Sequence, residues 1–185
     1  MSKSEILDHL EAHFGPFAEG WKDPNWGDIQ VLRFNRGPIS GAGVLATVGL
    51  SLAPLVGPSG RRISIELVML FRHSEGPRAL PAIVGDLCAE ALRARRPILC
   101  GQLVGPRGPF FPGATTEAFF AAIPVHFPPS FQVTPRSRVA FAWLVPVTGD
   151  EAEFIRSHGP DQFLGALDDH TPDLLDLSRS SIVKC

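Results

Sequence analysis

No tyrosine occurs in the 185 residues, lysine appears three times against fourteen arginines, and there are three cysteines and two methionines. Each shortage narrows the possibilities. Cys88, Cys100 and Cys185 are an odd set without CxxC spacing, which fits neither a disulfide framework nor a zinc site and predicts reduced thiols. No stretch approaches the roughly 20 apolar residues of a membrane span. Residues 1–30 carry Lys, Asp, Glu and His throughout, so they do not read as a signal peptide. Together these absences predict a cytoplasmic protein that enters no membrane. Positive charge is also short: the net charge is −2, which supplies no field to attract nucleic acid. The single basic cluster, Arg93, Arg95 and Arg96, falls at the end of a predicted helix, where cations meet the helix dipole favourably.

What is present suits one globular domain, residues 1–185. Hydrophobic residues make up 44% of the chain, 13 of them Phe, and a domain of this length buries roughly 70% of its unfolded surface. The Arg bias and the wealth of Ala, Gly and Pro point to a GC-rich bacterial genome.

Ser2 and Glu5 have capping-box spacing, and Ile6, Leu10, His13 and Phe14 recur near the helical period until Gly15 and Pro16 stop the helix. After a loop with Trp21 and Trp26, residues 29–34 read as a strand, and 43–50 as a second. Residues 61–71 form a third, with Ile63, Ile65 and Leu67 on one face and Glu66 interrupting the other. Residues 80–95 are the clearest amphipathic helix, Pro81 lying in its first turn. A short strand near 99–104, a Pro- and Gly-rich loop at 105–113 and an apolar run at 119–125 follow. Residues 139–147 read as a strand buried on both faces. Thr148 and Glu151 then open a capping box, Gly159 closes that helix, and Pro160 begins another through about Leu167.

No catalytic or metal-binding motif emerges. His9 and His13 could share an ion, but Glu11 faces away from them and no third ligand stands nearby in HLEAH. Gly41, Gly43 and Ala46 match a dinucleotide-binding pattern, yet they lead into a strand instead of a helix N-terminus. Ser59 lacks the nucleophile elbow. The prediction is therefore no cofactor and no metal.

Several motifs nevertheless stand in a recognisable order: Thr47-Val48-Gly49-Leu50-Ser51, Ile65-Glu66-Leu67, the helix at 80–95, and Gly101-Gln102 with its Pro-rich loop. Trp143-Leu144-Val145-Pro146-Val147-Thr148, Glu151 to Phe154, His158-Gly159 and Asp176-Leu177-Ser178-Arg179 follow. From about Asp28 to Arg179 this order resembles the suppressor-of-fused domain, most closely its bacterial single-domain branch. The resemblance implies an α+β fold with a curved, mostly antiparallel mixed sheet flanked by helices. It also implies a non-enzymatic domain that binds another protein. Eukaryotic members sequester a transcription factor in Hedgehog signalling, and bacterial members are implied to include immunity proteins that neutralise toxins. The eukaryotic second domain is not matched, so only the protein-binding habit carries over.

Candidate partner contacts follow. Phe110 and Phe111 in GPFFPG form a loop pair that either meets a partner or folds back under the sheet. Glu66, Asp176 and Arg179 occupy motif positions, as do Trp143 and Pro146. Structural roles compete for all five: Trp143 as core, Pro146 as strand terminator, Asp176 with Arg179 as a local ion pair. The rival function is a hydrolase or ligand-binding enzyme assembled from His73, His126 or His158 and scattered carboxylates. Oligomeric state is left open, and so is any role of Asp168, Asp169, Asp173 and Asp176 beyond solvating the C-terminal region.

Overall fold

A computed structural model describes residues 2–73, 79–136 and 138–183. Helix α1 (Lys3–Phe14) begins where Ser2 Oγ accepts the Glu5 amide and stops at Gly15, whose φ of 75° is open to glycine without strain. Strands β1 (Glu19–Trp21), β2 (Gln30–Phe34), β3 (Ala42–Val48) and β4 (Ile65–Arg72) lead to helix α2 (Leu80–Ala94). Strands β5 (Leu103–Val104), β6 (Thr116–Ala122) and β7 (Ala140–Thr148) then lead to α3 (Gly149–His158) and α4 (Pro160–His170).

All seven strands form one sheet in the order β1-β2-β3-β4-β7-β6-β5. Every neighbouring pair is antiparallel except β4 with β7. The fold is therefore α+β with a mixed, mostly antiparallel sheet, as the resemblance implies. Alternation along the strands feeds two cores. Val44, Ala46, Val68, Leu70, Phe120, Phe141, Trp143 and Val145 face α1, α3 and α4, whereas Val31, Leu45, Leu67, Met69, Phe119, Ala142 and Leu144 face α2. Strand β7 contributes to both cores, which is why its sequence is continuously apolar. Each fully buried Leu, Val or Phe in these layers contributes roughly 1.5–3 kcal/mol.

Several boundaries differ from the sequence reading, each for a local reason. The second strand ends at Val48 because Gly49 turns with φ 116° into a 3₁₀ turn at Leu50–Leu52. The third begins at Ile65 because Gly57 N–H bonds to the Arg61 carbonyl and closes a tight turn before it. The short strand shrinks to Leu103–Val104 because Leu99 and Gln102 bond to each other across another turn. The run at 119–125 stops being sheet at Ala122, and the last helix continues to His170. Gly43 belongs to β3, directly opposite Phe71, whose ring would lie 2.5 Å from a Cβ placed there. That close approach explains this glycine without any nucleotide. Cys88 is a buried free thiol and Cys100 an exposed one, while Cys185 lies outside the described residues.

Candidate functional site

Three charged motif residues, Glu66, Glu151 and Arg179, are gathered into two buried networks. Glu66 is fully buried, and its carboxylate accepts from the Thr47 hydroxyl at 2.6 Å, the Ser51 hydroxyl at 2.7 Å and the amides of Gly49, Leu50 and Ser51. Burial pushes its carboxyl above the usual range, and these donors pull it back. The network ties the end of β3 and the turn after it to β4. Burial also pushes the nearby Cys88 thiol well up, with the Glu66 charge adding to the effect.

Arg179 does not form the expected ion pair with Asp176. Its guanidinium grips Glu151 in a two-pronged contact at 2.5 and 2.7 Å, and it also donates to the carbonyls of Pro146 and Ser180. Glu151 is wholly buried at the N-terminus of α3, where it completes the capping box with Thr148 and accepts the Ile182 amide. Asp176 instead accepts from the Ser178 hydroxyl and amide, and those bonds hold its carboxyl below the usual range. Nor does Pro146 terminate its strand: it lies inside β7, opposite Phe119 on β6. On the other side β7 has already left β4, since their pairing runs only from Ile65 with Ala140 to Val68 with Trp143. Arg179 donates to the Pro146 carbonyl just past the last β4–β7 pair, where this divergence leaves a gap.

The gap lies where β4 and β7 run parallel while the helices that follow them, α2 and α3, pack on opposite faces. Crevices of this kind at the carboxyl ends of strands are common ligand sites. Here the C-terminal segment plugs the opening. Asp173 pairs with Arg72, Leu175 enters one core and Leu177 the other, and the Leu177 carbonyl accepts from the amides of Thr115 and Thr116.

Beside the plug an open cleft of about 810 Å³ remains on the α4 side of the sheet. Leu70, Phe120, Trp143 and Val145 form its floor, Leu164, Leu167 and Asp168 of α4 one wall, and Ile123, Val125 and His126 the other. Six large hydrophobic residues are exposed among those described, and three of them line this cleft: Ile123 at 56%, Val125 at 67% and Leu164 at 41%. Such clustering differs from the scattered single exposures that are ordinary on a folded surface. Trp143 is core, as expected, yet its Nε1–H has no hydrogen-bond partner.

The other candidates sit elsewhere. Phe110 is 8% exposed and stacks on Phe119 with ring centroids 4.5 Å apart, while Phe111 packs partly buried against the same core. The loop thus folds back under the sheet. His9 donates from Nε2 to the Phe131 carbonyl, and His13 bonds to the His9 carbonyl and Ser130. No three His, Cys, Asp or Glu side chains converge on a metal position among the described residues. His73 contacts Phe71, His126 contacts Trp143, and His158 stacks on Phe154, three separate settings that share no carboxylate contact among the described residues. The cleft itself escaped the sequence reading, although Pro124 inside the run at 119–125 signals that Ile123 and Val125 leave the sheet.

A family model described as Suppressor of fused protein (SUFU) matches residues 25–180. The chain belongs to the suppressor-of-fused family. Solved structures repeat this suppressor-of-fused fold at low identity. A SUFU homolog from Neisseria gonorrhoeae FA 1090 superposes with a TM-score of 0.81 at 17% identity, covering 99% of this chain and 97% of that one. The Sufu–Fu complex gives 0.70 at 15%, covering 98% and 92%. Drosophila Suppressor of Fused gives 0.68 at 15%, covering 96% of this chain and 50% of that protein, so the chain spans about half its length. No curated protein sequence matches. Among the described residues, no helix is long and apolar enough to cross a membrane.

Proposed function

We propose that residues 1–185 form a single non-enzymatic domain that binds and sequesters a partner protein, such as a bacterial toxin, in the cytoplasm. The observation that carries this reading is the open cleft, an apolar surface flanked by exposed Ile123, Val125 and Leu164. Apolar patches of this kind on a folded domain serve recognition. Family membership supports the same reading, because one structure that shares the fold is the Sufu–Fu complex. The buried carboxylates Glu66 and Glu151 are engaged in holding turns, a helix cap and the C-terminal segment. Of the five residues expected at a partner surface, Asp176 and Phe111 keep partial exposure and could take part in contact at its margin.

The test is reconstitution. Toxin candidates encoded beside this chain's gene would be co-expressed with it, and any rescued pair purified for a stoichiometry measurement by light scattering. Rescue with a stable complex supports sequestration. Rescue by catalytic turnover of the toxin or its substrate, or no rescue and no complex, removes the proposal.

A further inference from the structure

The cleft carries two features that narrow what it can hold. The first is the Trp143 indole: its residue is 4% exposed, it lines the cleft, and its Nε1–H is unpartnered. Buried donors in folded proteins are nearly always paired, and this one lacks the oxygen acceptor that such a donor ordinarily has. The His126 ring meets the indole in a T-shaped contact, with centroids 5.1 Å apart and planes at 80°. Trp26 makes the contrast, since its indole already donates to Asp86.

The second feature is charge. The described lining residues include Asp168 and Asp173 but no Lys or Arg. Arg72 pairs with Asp173, while Asp168 stands exposed on the last turn of α4 beside Asp169. A carboxylate or phosphate headgroup would meet no cation among the described lining residues, whereas a Lys or Arg of a partner would meet Asp168. The apolar floor has room for two or three large side chains in about 810 Å³.

We propose that the cleft receives an apolar peptide segment of the partner protein, flanked by a basic residue. A main-chain carbonyl of that segment accepts from Trp143 Nε1–H, its apolar side chains lie on Leu70, Phe120 and Val145, and its Lys or Arg sits beside Asp168. This rests on the protein-binding reading above and adds the chemistry of what is bound.

The experiment uses the full chain labelled with ¹⁵N, whose three indole N–H signals come from Trp21, Trp26 and Trp143. A Trp143→Phe variant assigns the third. Acetyl-Lys-Leu-Phe-Leu-Lys-amide, its Glu-flanked counterpart and dodecanoate are titrated separately. The expected result is a saturable downfield shift of the Trp143 signal with the Lys peptide, a static Trp26 signal, and roughly fivefold weaker binding of the Glu peptide. Asp168→Lys should reverse that preference, and Leu164→Asp should abolish the shift while the spectrum stays dispersed. No shift with either peptide overturns the proposal, as does a shift with dodecanoate alone or one that follows protein concentration alone, which would mean a lipid site or a second copy. A natural partner captured equally by wild type and Leu164→Asp would sink this site and leave protein binding standing. Absence of any partner would sink the broader reading.

Discussion

Replacing Arg179 with Met should destabilise the fold by about 3–5 kcal/mol, because it leaves the Glu151 carboxylate buried without its cation. The magnitude follows from the geometry. Arg179 is 7% exposed and Glu151 fully buried, and two charge-assisted bonds at 2.5 and 2.7 Å join them. The Pro146 carbonyl also loses its 3.1 Å donor. The Thr148 and Ile182 amides still reach Glu151, so the loss stops short of a bare buried ion. For a domain of this size the melting temperature should fall by about 6–20 °C. Urea unfolding monitored by tryptophan fluorescence measures the loss, and a double-mutant cycle with Glu151→Gln isolates the pair. The double variant should lose less than the sum of the single ones, since removing both charges removes the unpaired ion. Asp176→Asn should cost under about 1 kcal/mol, because its carboxylate caps only a local turn with Ser178. An Arg179→Met loss below about 1 kcal/mol, or an equal loss from Asp176→Asn, would refute the assignment of Glu151 as the partner.

Glu66→Gln should cost about 2–4 kcal/mol at mildly alkaline pH, because an amide nitrogen would replace one of two oxygens that accept only from donors; a loss below about 0.5 kcal/mol in chemical unfolding would show that a neutral acid sits there. Gly85→Ala should destabilise by about 1–3 kcal/mol despite Ala's helix propensity gain of roughly 1 kcal/mol, since a Cβ would lie 2.2 Å from the Trp26 indole. A rise in melting temperature would contradict that packing. Burial, with a smaller push from His13, holds His9 below its ordinary value of 6.5 against the Phe131 carbonyl bond. The folded state thus favours neutral His9, so its contribution is present above about pH 6.5 and is lost as pH falls from there towards the depressed folded value. A His9→Gln variant should show a flatter stability profile over that window, and an unchanged slope would count against the assignment.

What the sequence made legible is local. The Ser2 and Thr148 caps, the stops at Gly15 and Gly159 and the two-sided burial of residues 140–148 all follow from chemistry within a few positions of each element. Strand β1 escaped because three residues carry no periodicity, and the 3₁₀ turn at Pro24–Trp26 has no repeating pattern to read. Long-range geometry was illegible. Arg179 has Asp176 three positions away and Glu151 twenty-eight away, and only the path of the tail across the end of β7 decides between them. The cleft depends on where β4 and β7 part, a property of pairing between strands some seventy residues apart. Family motifs pointed mainly to residues that build the frame, including Trp143 and Val145 on the cleft floor, while the exposed cleft residues Ile123, Val125 and Leu164 belong to no motif.

On the proposed reading, this domain works by holding another protein against its cleft. Calorimetric titration of the purified natural partner into wild type and into Leu164→Asp tests it most directly. The expected result is saturable one-to-one binding by the wild type, weakened at least tenfold by the substitution while the melting temperature stays close to wild type. Binding of equal strength to both proteins, or heat that continues with each addition as it does in substrate turnover, would contradict it.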